Sequence, residues 1–129
     1  MLTIEQLNCG FGRQEILHDI SLNIPEGKIT AIVGQSGCGK TTFLKTLNRM
    51  IEEDGGFYKG KISLEGVDIR ELSKEELRTR IGMVFQQPIA FPYSIEKNLS
   101  YVLKYHGIRD KGQIEKITKD CLQKARLYD

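Results

Sequence analysis

Along the first 24 residues, apolar and polar positions alternate: Leu2 and Ile4, then Ile20, Leu22 and Ile24, are separated by polar side chains. This period of two is what a sheet with one buried face requires, so the segment is predicted to be strands joined by turns. Pro25, Glu26 and Gly27 supply the next turn, and Lys28 to Val33 (KITAIV) is a β-branched run expected to form a buried strand leading into Gly34. From Lys40 the period changes. Phe43, Leu44, Leu47, Met50 and Ile51 recur at helical steps, predicting a helix that ends near Asp54 to Gly56, with Lys45, Asn48 and Arg49 on its outer face. Ile62 and Leu64, followed by Glu65 and Gly66, predict a second strand pair around a tight turn. Ser73 with Glu76 matches a capping box and predicts a short helix through Leu77. Residues 81 to 85 (IGMVF) read as another buried strand, and Pro88 and Pro92 exclude regular structure from QQPIAFPY. Ser94 is placed to cap a helix bearing Ile95, Leu99, Val102 and Leu103; a last helix carries Ile114, Ile117, Cys121, Leu122 and Ala125.

Composition narrows the possibilities. With 129 residues and 40% hydrophobic content, the chain can bury roughly two-thirds of its unfolded surface, as one globular domain does. A net charge of only +2, without blocks of one sign, argues against electrostatic binding of nucleic acid. Cys9, Cys38 and Cys121 show no metal or redox spacing and are expected to be free thiols. No apolar run approaches the roughly 20 residues that span a bilayer, so a membrane role would need a spanning partner.

The chemistry is concentrated in GQSGCGKTT, residues 34 to 42. Gly34, Gly39, Lys40 and Thr41 satisfy the phosphate-loop pattern, two glycines five apart followed by lysine and a hydroxyl residue. Gly34, Gly37 and Gly39 allow backbone N–H groups, with those of Gln35, Ser36 and Cys38 between them, to turn inward around a polyphosphate. The following helix adds its positive N-terminal end. Lys40 brings a full charge to the terminal phosphates, the Thr41 hydroxyl suits one Mg²⁺ position, and Thr42 completes the loop. A nucleoside triphosphate and Mg²⁺ are therefore the expected ligands. Cys38 is read as a small residue that fits the loop.

With these residues in place, the chain resembles the ATP-binding subunits of ATP-binding cassette (ABC) transporters over its whole length. The resemblance implies an α/β P-loop NTPase fold. Residues 1–86 would hold the ATP core and an antiparallel β subdomain, and 87–129 the Q-loop and the start of the helical subdomain. It implies that Phe11 in GFGRQEIL stacks on adenine, although an aromatic residue there also suits a core. It also implies that Gln86, in IGMVFQQP, reaches toward Mg²⁺ and the attacking water. LNRM, FPYSIEKNLSY and YHGIRDK are similar to the ATP-binding subunit of bacterial phosphate importers. Integral-membrane permease subunits and a second copy in a head-to-tail homodimer would then be the partners, at the cytoplasmic face of the inner membrane.

Parts of the family pattern are not found: no apolar strand ends in Asp-Glu, and there is no Leu-Ser-Gly-Gly-Gln signature. His18 and His106 do not fall where the family's switch histidine belongs. The expectation is the N-terminal part of a transport ATPase, with Asp129 inside the helical subdomain and no turnover by these 129 residues alone. A short nucleotide-binding or permease-docking module without turnover, and a soluble P-loop enzyme of another kind, are the competing readings.

Overall fold

The computed structural model describes residues 1–128; Asp129 lies outside the described residues. The chain forms two compact units, Met1–Val84 and Phe85–Asp129.

The first unit is built on an antiparallel sheet of β1 (Leu2–Phe11), β2 (Gln14–Ile24), β3 (Gly56–Leu64) and β4 (Val67–Asp68), in the order β2-β1-β3-β4. β1 lies in the middle, with Ile4 opposite Leu22 on one side and Ile62 on the other. Its inward residues are Leu2 and Ile4, then Leu7 and Cys9, so the period of two slips by one between Ile4 and Leu7. The slip is absorbed by an irregularity at Gln6, whose φ is 49°, where both ladders shift register. Without such a bulge Leu7 and Cys9 would face the opposite side of the sheet. The turn expected at Glu65 and Gly66 joins β3 to β4.

Against the inner face pack α1 (Lys40–Leu47), one turn of 3-10 helix (Met50–Glu52) and α2 (Lys74–Arg80). The core comprises Leu2, Ile4, Leu7, Cys9, Phe43, Leu47, Ile51, Tyr58, Ile62, Ile69 and Leu77. A fully buried side chain such as Ile62 or Leu77 contributes about 1.5–3 kcal/mol relative to exposure. Of the capping box, the Ser73 half forms: Ser73 Oγ accepts from the N–H of Glu76 at 3.1 Å.

Two expectations fail here. The helix foreseen to Asp54 ends at Leu47, because the Asn48 side chain accepts from the N–H of Met50 at 3.2 Å and Arg49 turns left-handed at φ 59°. A polar side chain bonding its own backbone competes with helix continuation in this way. Asn48, placed on the outer face by periodicity, is buried, whereas Leu44 is exposed.

The second failure is larger. Neither 28–33 nor 81–85 is a strand; both are unpaired, with Ile29, Val33 and Val84 almost fully exposed. A strand exists only where a neighbour supplies the ladder of hydrogen bonds, and among the described residues no strand pairs with either segment.

The second unit consists of the proline-bearing loop, α3 (Ile95–Tyr105) and α4 (Lys111–Lys124). Both helices have side-chain caps: Ser94 Oγ accepts from Lys97 N–H at 3.2 Å and Asp110 Oδ2 from Gln113 N–H at 2.7 Å. α4 buries Ile114 and Thr118, while Ile95 and Val102 of α3 stay exposed. No helix among the described residues is long and apolar enough to cross a membrane.

Candidate functional site: a phosphate loop at the start of α1

Residues 34 to 39 form a largely exposed loop that leads into α1 at Lys40. The N–H of Cys38 donates to Gln35 O at 3.3 Å, making the turn, and the N–H of Phe43 donates to Gly39 O at 2.8 Å, making the first helical bond. Gly39 is the N-cap, at φ 98° and ψ 9°, and contributes no side-chain cap. The first N–H groups of α1 therefore have no side-chain acceptor, and its first turn holds no acidic residue. Helix dipole and orphan donors together make this end attractive to an anion.

The Lys40 ammonium lies inside the loop. It donates to Gly34 O at 2.7 Å and Gln35 O at 2.6 Å, and Cys38 Sγ is 3.5 Å away. A methyl group on Gly34 would come within 2.6 Å of that sulfur, so the bare glycine is what lets the loop wrap this closely. Lys40 is the only charged side chain between residues 34 and 42. Such a cradle, one cation with uncapped amides and no competing carboxylate, fits a polyphosphate. Thr41 is exposed on the first turn, where its hydroxyl is free to meet a cation, and Thr42 O accepts from Thr46 Oγ1 at 2.7 Å.

Behind the loop, Gly39 rests on β2: a methyl group there would lie 2.9 Å from Leu17 Cδ2 and 3.0 Å from Ile16 Cγ2. Leu17, Ile20 and Leu22 with Ile32 and Phe43 line a small apolar cleft of about 200 Å³ that reaches Cys38 and Lys40. Sequence reading did not single out Ile16 or Leu17 as supports of the loop. Their apolar character was visible, but the partner they meet is 22 or more positions away.

Phe11 ends β1, opposite Gln14 and Gly56, and is half-buried with its ring against Gly56 and the core. Gln86 is exposed and lies in the second unit. Just past it, Asn98 pins the loop: its Oδ1 accepts from Phe91 N–H at 2.8 Å, and its Nδ2 donates to the carbonyls of Phe91, Tyr93 and Ser94 at 3.0–3.1 Å. Asn98 was missed, although a polar residue three positions after Ile95 on the apolar side of α3 was the available signal. The ring of Phe91 lies 5.1 Å from that of Tyr101.

The histidines stand apart from the loop's chemistry. His18 is exposed on β2 and meets Glu15 Oε2 at 3.1 Å, and His106 follows α3 with its ring edge-on to Tyr105. All three cysteines are free, and burial raises the Cys9 thiol pKa. Among the described residues, no three His, Cys, Asp or Glu side chains gather as a metal site.

The family model for ABC transporters matches residues 17–128. Among solved structures, a bacterial Atm1-family ABC exporter with ATP bound is similar, at 34% identity and a TM-score of 0.69. The match covers 78% of this chain and 17% of that one, so the present chain spans a small part of the exporter's length. The antiparallel sheet with its helices matches the N-terminal part of an ABC ATPase domain. The chain belongs to the ABC transporter family.

Proposed function

We propose that this chain binds Mg-ATP through residues 34 to 42 and, as part of a transport ATPase, helps to couple nucleotide binding and hydrolysis to movement of a solute across a membrane. The observation that carries the reading is the Lys40 ammonium seated in the loop beside the uncapped N-terminus of α1. Lys40 would neutralise the β- and γ-phosphates, Thr41 would hold Mg²⁺, and Gln86 would approach Mg²⁺ and the attacking water. Phe11 would face adenine. The partners would be permease subunits and a second copy of the ATPase domain, at the cytoplasmic face of the membrane.

Lys40→Ala tests the loop directly. Titration with a fluorescent ATP analogue should show at least about tenfold weaker binding, since a charge-assisted hydrogen bond contributes about 1.5–3 kcal/mol. Binding within about twofold of the parent would remove the assignment.

The direction and solute of transport have two supports that differ. LNRM, FPYSIEKNLSY and YHGIRDK favour import of inorganic phosphate by resemblance. The likeness to an exporter favours the outward direction. Uptake of labelled phosphate by cells whose transporter carries Lys40→Ala separates them: a drop supports import, and unchanged uptake supports the second reading.

A further inference from the structure

We propose that Arg78 is a positioning residue for the phosphate loop, holding the far end of α1 in place from α2; the proposal rests on the nucleotide-binding reading above. α1 has eight residues, a length at which an isolated helix is marginal and depends on tertiary contacts. One side is fixed by Phe43, Thr46 and Leu47, all buried. Its last turn leaves carbonyl groups without helical partners, and no glycine closes it.

The guanidinium of Arg78, on another element, takes the two carbonyls that follow this turn. Nε donates to Asn48 O and Nη2 to Arg49 O, both at 3.4 Å, and Nη2 also meets Glu53 Oε1 at 3.1 Å. Around it the charges alternate. Lys74 Nζ lies 3.0 Å from both Glu53 Oε1 and Glu52 Oε2. Glu52 in turn takes two bonds from Arg49, at 2.9 and 3.2 Å, and Arg49 Nη1 reaches Leu72 O at 3.4 Å. Five charged residues thus link the end of α1 and the 3-10 turn to α2, 21 to 30 positions along the chain.

The placement has an electrostatic consequence. A cation at the C-terminal end of a helix complements its dipole, and in α1 the opposite end faces the loop that would hold phosphate. Arg78 and Lys40 therefore act at the two ends of one short helix. Loss of Arg78 frees the far end, so α1 and its N–H groups are less well ordered before the ligand arrives, and binding must supply that ordering.

The test is titration of the 129-residue chain with a fluorescent ATP analogue and Mg²⁺, with affinity and binding sites per chain fitted separately. Arg78→Ala should raise Kd about fivefold with sites per folded chain unchanged, and Arg78→Lys should recover part of the loss. A purely structural role would lower the number of competent chains and leave their Kd alone, and that result overturns the proposal. Should Arg78→Ala fail to fold, Glu53→Gln decides, because it removes an exposed partner of Arg78: about a twofold rise in Kd supports the proposal and the parent value overturns it. Parent binding that is lost in Lys40→Ala but unchanged in Arg78→Ala sinks the positioning role alone. No binding by the parent chain sinks both readings.

Discussion

Gly39→Ala is expected to damage this protein far more than Gly37→Ala, although both glycines lie in the same exposed loop and both have positive φ, 98° and 79°. At Gly37 a methyl group would meet nothing within 4 Å, so only the backbone penalty applies. That is about 1–2 kcal/mol for an L-residue on the left-handed side, partly offset by about 0.4–1 kcal/mol because alanine restricts the unfolded chain. At Gly39 the methyl would stand 2.9 Å from Leu17 Cδ2, 3.0 Å from Ile16 Cγ2 and 3.3 Å from Leu17 Cγ. Leu17 is packed against the core and can yield only in part, so an overpacking cost of about 1–3 kcal/mol is added. The net expectation is about 0–1.5 kcal/mol for Gly37→Ala and about 1–4.5 kcal/mol for Gly39→Ala. The chain has no tryptophan, so unfolding in urea is best followed by far-UV circular dichroism. Stabilities of the two variants within about 0.5 kcal/mol of each other would refute the reasoning, because the packing of Gly39 on β2 is the whole of the difference.

The remaining expectations concern ionisation and reactivity. The Glu52 carboxyl is held below its ordinary pKa by the hydrogen bond from Arg49 and then by Lys74, and Glu53 is lowered by Lys74 and Arg78. A lowered folded pKa means that the stabilisation is fully present above the unfolded value of 4.5 and is lost as pH falls through the folded one. The urea midpoint should therefore start to fall below about pH 4.5, and Glu52→Gln should flatten that fall; an unchanged acid profile in the variant would contradict it. Cys9 is fully buried with a raised pKa, whereas Cys38 and Cys121 are exposed. A disulfide exchange reagent should titrate two thiols quickly and the third only on unfolding, and three equal rates would contradict this packing.

Much of the site was legible without coordinates because its chemistry is local. The phosphate-loop pattern is one contiguous string, and what it asks for, glycine where the backbone must turn and a cation where a phosphate would lie, is met by residue type and spacing. The caps at Ser73 and Ser94 and the turn at Glu65 and Gly66 were readable for the same reason: a side chain meeting a backbone N–H three residues on needs no distant partner. The family followed from the same strings, and the match over residues 17–128 agrees with it.

What only tertiary structure decided depends on partners far away in the chain. Residues 28–33 and 81–85 carry strand-like composition, yet pairing requires a neighbouring strand, and β-branched residues cannot supply one by themselves. The slip at Gln6 was invisible because Leu7 is judged inward only once Ile62 and Leu77 define where the core lies. α1 stopped at Leu47 because the Asn48 side chain found the N–H of Met50, a competition that helical periodicity does not register. Of the charges Arg49, Glu52, Glu53, Lys74 and Arg78, periodicity placed only Arg49, on an outer face, and paired none of them. Folding brings 74 and 78 beside 49 to 53, and only there does alternation of sign become a set of bonds that holds the helix behind the phosphate loop.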